Sequence, residues 1–290
     1  MEDQIPEILY HYCSIDTFVK IVQNKTLRLS EIAKSNDSME CRWLEKVVIP
    51  KMLEAELDEL YKKKAEQQIE VPDKKYISKI NQVLATRRLD YYFEGDIGYI
   101  ENKLVLATCF SEKRDLLSQW RGYANDGYGV AIGFRSRMFN DITYSFDMPI
   151  DLKKVLYNRN DQEKEVQQFV QECAKGFLNE DETDKERVIR DLVVKSLTPS
   201  VYIKNPAFTE EAEWRFFTAL GLIRDYSEFL EEINSFEITG LLSNLGVITR
   251  GDRAVFFCDI NLESVSKRIN ERNVEYIYRG ARNGNCNSTL

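Results

Sequence analysis

A short apolar run, Ile8-Leu9-Tyr10-His11-Tyr12, is rich in branched and aromatic side chains and predicts an opening strand. Behind it Ser14 stands where a helix cap belongs. Ile15, Phe18, Val19 and Val22 then recur at three- and four-residue intervals, which predicts an amphipathic helix with one buried stripe. Leu27-Arg28-Leu29-Ser30 alternates like a second strand. A polar segment, Lys34 to Ser38, leads into a long helical stretch from about Met39 to Gln68, rich in Leu, Glu and Lys and interrupted by Pro72. A further helical pattern carries Tyr76, Ile80, Val83, Leu84 and Leu89 and gives way to the segment Gly95 to Gly98.

Strand character returns from Leu104 to Ser111. A short helix bearing Leu116, Leu117, Trp120 and Tyr123 follows, then a strand from Gly129 to Phe134 and another through Val155-Leu156-Tyr157. Residues from about Asp161 to Ser196 read as charged amphipathic helix with an acidic break at Asn179 to Asp184. The last third is β-like at Trp214-Arg215-Phe216-Phe217, at Ala254 to Cys258 and at Tyr276-Ile277-Tyr278. Strands interleaved with helical blocks predict an α+β fold: a single domain over 1–282, helical insertions at about 39–102 and 159–200, and a polar tail at 283–290.

The composition narrows the chemistry. With 290 residues, 43% hydrophobic and 30% charged, the chain can build one sizeable core. A net charge of -8 argues against binding that rests on broad attraction to nucleic acid, although a local basic groove is compatible with it. No apolar run is long enough to span a bilayer or to resemble a secretory signal, so a cytoplasmic protein without membrane partners is expected. The cysteines at 13, 41, 109, 173, 258 and 286 form no C-x-x-C pair, and a solitary histidine cannot assemble a multi-histidine metal site. No metal is expected.

Four places combine unusual polar residues with strand-like neighbours: His11, Ser111, the Trp120/Tyr123 pair, and Glu210-Glu211-Ala212-Glu213-Trp214-Arg215. In an extended conformation Glu211, Glu213 and Arg215 share one face, with Trp214 and Phe216 on the other. The competing reading is a helix start capped by Thr209, with glutamates favoured in its first turn. His11 has an equally ordinary alternative as a part-buried imidazole bonded to backbone, and Ser111 as a turn former. Trp120 suits packing, whereas Tyr123 and Tyr128, among Gly122, Gly127 and Gly129, suit an accessible ring. The glycines at 127, 129 and 133 precede and run through a strand instead of linking a strand to a helix, so they are no dinucleotide fingerprint. A His11/Cys13 dyad lacks a third, orienting group, and Lys62-Lys63-Lys64 and Arg87-Arg88 read as solvated helix surface.

Taken together, Leu9-Tyr10-His11-Tyr12, Leu27-Arg28-Leu29-Ser30, Asn36-Asp37-x-x-Glu40, Cys109-Phe110-Ser111-Glu112, Trp120, Tyr123, Gly129 to Phe134 and Glu211-x-Glu213-Trp214-Arg215 resemble the bacterial family called domain of unknown function 2971. Their order is also similar, more distantly, to the ADP-ribosyltransferase fold, with its histidine-bearing first strand, serine- or tyrosine-bearing middle segment and late glutamate. That likeness implies a split, mixed or antiparallel β core with helical insertions, and a NAD site. It implies that His11, with Tyr12 beside it, holds the adenosine ribose, and that Ser111 supports the nicotinamide pocket. Tyr123 or Tyr128 would stack on nicotinamide, Glu213 would be the catalytic carboxylate, and Glu211 would lie on the acceptor side. Arg215 would keep Glu213 ionised or orient it.

Cleaving the nicotinamide–ribose bond gives the ribose oxocarbenium character, which a fixed carboxylate stabilises. The expectation is therefore a NAD-dependent ADP-ribosyltransferase that uses NAD as substrate and modifies a nucleic acid or protein, in the manner of a toxin or phage-defence effector with an antitoxin or defence-system partner. A NAD glycohydrolase and a noncatalytic ligand-binding or interaction module on the same fold are the alternatives.

Overall fold

Ser14 does cap the first helix, α1 (Ile15–Asn24): its Oγ accepts from the Thr17 amide at 3.2 Å, and Asp16 sits in the first turn. The stripe expected to be buried turns outward, however, with Ile15, Val19 and Val22 at 44%, 40% and 50% exposure. Ile21 is buried and Phe18 packs against the core, so the helix docks on the neighbouring stripe, which the same periodicity also permits. Lys25 then takes the left-handed conformation (φ 53°) and turns the chain into the second strand.

A computed structural model describes residues 5–34, 39–67, 78, 80, 103–145, 150–179, 182–222, 242–269 and 274–279. Its strands are β1 (Ile8–Cys13), β2 (Thr26–Glu31), β3 (Lys103–Ser111), β4 (Val130–Arg135), β5 (Ile150–Lys154), β6 (Glu213–Leu222), β7 (Leu242–Arg250), β8 (Arg253–Asn261) and β9 (Val274–Arg279). Every ladder between these strands is antiparallel. One path runs β7-β8-β2-β3-β1-β4-β9, with β6 on the other edge of β3 and β5 beyond β6. β3 is therefore the hub. One of its edges is divided between β2, which pairs at Ala107 and Leu106, and β1, which pairs at Ser111. The opposite edge runs along β6 from Lys103↔Leu222 to Ser111↔Glu213.

Alternation along these strands creates two cores. Leu106 and Phe110 of β3, Trp214 and Phe216 of β6 and Leu9 of β1 face α4 (Ser136–Ser145) and α8 (Leu262–Ile269), which contribute Phe139, Ile142 and Val265. Val105, Ala107 and Phe217 face a helical layer on the other side. That layer consists of α2 (Ile49–Glu66), entered through a π-helical turn at Leu44–Val48, with α5 (Arg159–Asn179), α6 (Glu182–Leu197) and the short α7 (Pro199–Tyr202). The described parts of the two stretches read as insertions thus pack together and cover one sheet face. A buried Gln162 on α5 ties this layer to the sheet by donating to the carbonyls of Leu156 (2.8 Å) and Lys204 (2.7 Å).

Three sequence expectations need correction. The strand foreseen at Val155-Leu156-Tyr157 lies just upstream, at Ile150–Lys154, where apolar and polar residues alternate; Leu156 makes only an isolated bridge to Ile203. β7 was not foreseen, because a register shift between Ser243 and Gly246, with Asn244 at φ 51°, breaks its period of two. The break expected at 179–184 is narrower, since α5 runs through Asn179 and α6 already begins at Glu182. The helical pattern at 76–89, apart from helical Ser78 and buried Ile80, and the tail at 283–290 lie outside the described residues.

The remaining short helix, α3 (Leu117–Gly122), leads through a turn into β4, and Gly129 closes that turn. A Cβ there would lie 2.2 Å from the Cys13 carbonyl oxygen and 2.9 Å from Ala124 backbone atoms. Gly129→Ala is expected to destabilise the protein by roughly 3 kcal/mol, the upper end of ordinary overpacking, because backbone and not a flexible side chain must move. Urea unfolding of the purified variant measures it; an unchanged midpoint would refute this packing argument.

Candidate functional site

Three backbone devices bring the site together at the C-terminal end of β3. Asn205 caps a 3-10 turn over Pro206–Glu211, its side chain accepting from the Ala207 amide, and Ala212 at φ 44° swings the chain into β6. Glu211 is therefore not in the strand with Glu213, as an extended segment would have it, and the cap is Asn205 and not Thr209. Ser111 then pins the junction. Its Oγ donates to the Glu211 carbonyl at 2.8 Å and accepts from the Lys113 amide at 3.1 Å.

On the face of β6 that meets the helical layer lies a buried charge cluster. Arg215 grips Glu213 with two hydrogen bonds, Nε to Oε1 at 2.8 Å and Nη2 to Oε2 at 3.0 Å. Its Nη1 reaches Glu40 Oε1 at 2.7 Å and also donates to the Val201 carbonyl. Lys204 Nζ lies 2.6 Å from Glu211 Oε2, 3.1 Å from Glu213 Oε2 and 3.7 Å from Glu40 Oε2, with the Phe208 ring 4.8 Å away. Glu40, Lys204, Glu213 and Arg215 are all buried, and Glu211 keeps 12% of its side chain exposed.

These positions set the protonation states. Burial alone would raise the Glu213 pKa, but Arg215 and Lys204 outweigh it and hold the carboxyl at about 2. Burial would lower Lys204, yet the carboxylates of Glu213, Glu40 and Glu211 push it above its ordinary value. Glu211 is raised, because burial outweighs its single lysine partner. The Cys109 thiol is raised by burial and then by the nearby Glu213 carboxylate, so it is no thiolate nucleophile.

The depressed Glu213 pKa has a signed consequence. Its stabilisation is complete above the ordinary carboxyl value of 4.5 and is lost as pH falls from there through about 2. Thermal melts from pH 6 to 2 should show a steeper acid limb in the wild type than in Glu213→Gln. Parallel limbs would contradict this linkage.

The remaining candidates divide between exposed rings and structural duty. Tyr123 is 51% exposed, and its phenol is raised by burial and then by nearby Glu211. Tyr128 is 48% exposed in the turn before β4. Tyr12 is buried against Trp120, its hydroxyl donating to the Lys113 carbonyl at 2.7 Å and accepting from the Leu116 amide at 3.1 Å, which holds the loop into α3. His11 points to the face of Leu9 and Cys13, opposite the face of Ser111, Glu213 and Arg215. Its Nδ1 lies 3.0 Å from the Cys109 carbonyl oxygen, at the place where β1 and β2 divide the edge of β3, and burial lowers its pKa.

Sequence reasoning missed Lys204, the role of Glu40 as charge partner, and Tyr157 beside them. One signal was available: Lys204 ends the apolar run Val201-Tyr202-Ile203, where a lone cation needs a partner. Among the described residues no group of three or more His, Cys, Asp or Glu is placed to hold a metal ion, and no helix is long and apolar enough to cross a membrane.

Fold and site together define a mixed α/β protein with an open antiparallel sheet and a buried carboxylate–cation cluster where two central strands end. Residues 119–216 match the family described as "Protein of unknown function (DUF2971)". No curated protein and no solved structure matches the chain.

Proposed function

We propose that the protein cleaves the nicotinamide–ribose bond of NAD and transfers ADP-ribose to a macromolecular acceptor, on an ADP-ribosyltransferase-like split sheet. The observation that carries this reading is the pair of unequal carboxylates sharing Lys204. Glu213 is locked ionised by Arg215, while Glu211 is less buried and has a raised pKa. Glu213 supplies fixed negative charge opposite a developing oxocarbenium ion, and Glu211 is the proton acceptor toward the incoming group. Three carboxylates against two cations leave the cluster with an excess of negative charge, the sign such a transition state requires. The division of one β3 edge between β1 and β2 suits the split core of this reading. The acceptor class is nucleic acid or protein, in keeping with a toxin or defence effector. His11 is given no part in binding, since it faces the other side of the sheet.

One observation favours a noncatalytic module instead. Glu213 takes two bonds from Arg215 and one from Lys204, which leaves it about one of the roughly four acceptor directions a carboxylate offers. Incubation with NAD labelled in its adenylate half separates the readings. Nicotinamide release with label on a macromolecule in cell extract is the expected result, and release without label indicates transfer to water. If neither occurs across extract, and purified protein releases no nicotinamide, the enzymatic reading falls.

A further inference from the structure

Among the described residues, the buried tyrosines Tyr12 and Tyr202 are satisfied and Tyr157 is not. Tyr12 donates to the Lys113 carbonyl, and Tyr202 to Glu165 Oε1 at 2.7 Å. Tyr157 is only 7% exposed, yet its hydroxyl has no hydrogen-bond partner among the described residues. An idle buried hydroxyl has lost its water without gaining a partner, so it calls for a specific explanation.

Its placement supplies one. Leu156 bridges Ile203, the Leu156 amide donates to the Tyr202 carbonyl at 2.7 Å, and the Lys204 amide donates to the Leu156 carbonyl at 3.2 Å. Tyr157 and Lys204 therefore run side by side and leave their segments on the side opposite Leu156 and Ile203, which pack into the helical core. Gln162 fixes both backbones, at 3.3 Å to the Tyr157 carbonyl and 2.7 Å to that of Lys204. Lys204 then enters the cluster, and the Tyr157 phenol feels Glu213, Lys204 and Glu211 without bonding to any of them. Burial, then Glu213, keeps that phenol protonated and hence a donor.

We infer that the Tyr157 hydroxyl is a binding group of this site, donating to a sugar hydroxyl of the substrate that lies between it and the Glu211/Glu213 carboxylates. A group in that position must accept from Tyr157 and donate to a carboxylate, and a hydroxyl does both. This inference deepens the NAD reading by naming the ribose as the part recognised, and it rests on that reading for the identity of the sugar. The leaving group and acceptor lie outside it.

Tyr157→Phe removes the hydroxyl and little else. Because that oxygen has no partner among the described residues, the melting temperature should stay unchanged or rise, while the KM for NAD and the Kd for ADP-ribose, by calorimetry, should each rise about tenfold. A purely structural tyrosine would show the reverse, with lower stability and unchanged binding, and would overturn the inference. Unchanged constants in a protein that cleaves NAD would mean that only water meets Tyr157, overturning the inference while leaving the NAD reading intact. ADP-ribose binding without NAD cleavage, weakened in Tyr157→Phe, would support the inference and overturn the transferase reading. A wild-type protein that neither cleaves NAD nor binds ADP-ribose would overturn both.

Discussion

Arg215→Ala should lower folding stability by about 3–5 kcal/mol, the usual result of removing one partner from a buried ion network. The guanidinium is 1% exposed and holds Glu213 through two bonds, Glu40 through one and the Val201 carbonyl through another. Its removal leaves Lys204 as the only cation for three carboxylates in that cluster. Glu40 and Glu213 are themselves buried, at 5% and 6% exposure, so water does not take over the role of the missing guanidinium. Urea unfolding at pH 7 measures the loss, and Arg215→Lys should fall between wild type and alanine because it restores charge without the two-pronged grip. A loss below about 1 kcal/mol would show that the cluster relaxes or hydrates, contrary to its burial.

The second large effect concerns chemistry. Under the NAD reading, Glu213→Gln should slow nicotinamide release about 10²–10³-fold, the scale for losing one preorganised electrostatic partner at a developing charge. Glutamine occupies the same volume, and its amide oxygen still accepts from Arg215, so the melting temperature should fall by less than in Arg215→Ala. Single-turnover nicotinamide release, read beside a melting curve, tells the two causes apart. Release at the wild-type rate from a folded Glu213→Gln protein would remove Glu213 from the reaction. Slow release tracking a collapsed melting curve would assign the effect to folding.

Much of the sheet could be read from the chain because its strands carry strong local patterns. β1, β3, β4 and β8 are apolar and branched or aromatic, and each lies where those residues cluster. β5 and β7 were lost for opposite reasons, one being too short and charged and the other interrupted by a bulge. Of the site, the Glu213/Arg215 pairing was legible, since two residues apart on a strand means one face. Lys204 and Glu40 were not, because ion pairing across long separations leaves no periodic trace. The opposed faces of His11 and Glu213 were also invisible: they depend on register through β3, fixed by Tyr10↔Ser111 and Ser111↔Glu213.

The span that matches the family, 119–216, contains Tyr123, Tyr157, Lys204, Glu211, Glu213 and Arg215 but neither Glu40 nor any of β3. A fragment trimmed to it would carry only the start of β6, Glu213 to Phe216, with an open ladder edge where β3 belongs. It would also hold a guanidinium stripped of one counterion. Its behaviour would be that of a sticky, charge-frustrated intermediate, so reconstitution from pieces demands the N-terminal third supplied in trans.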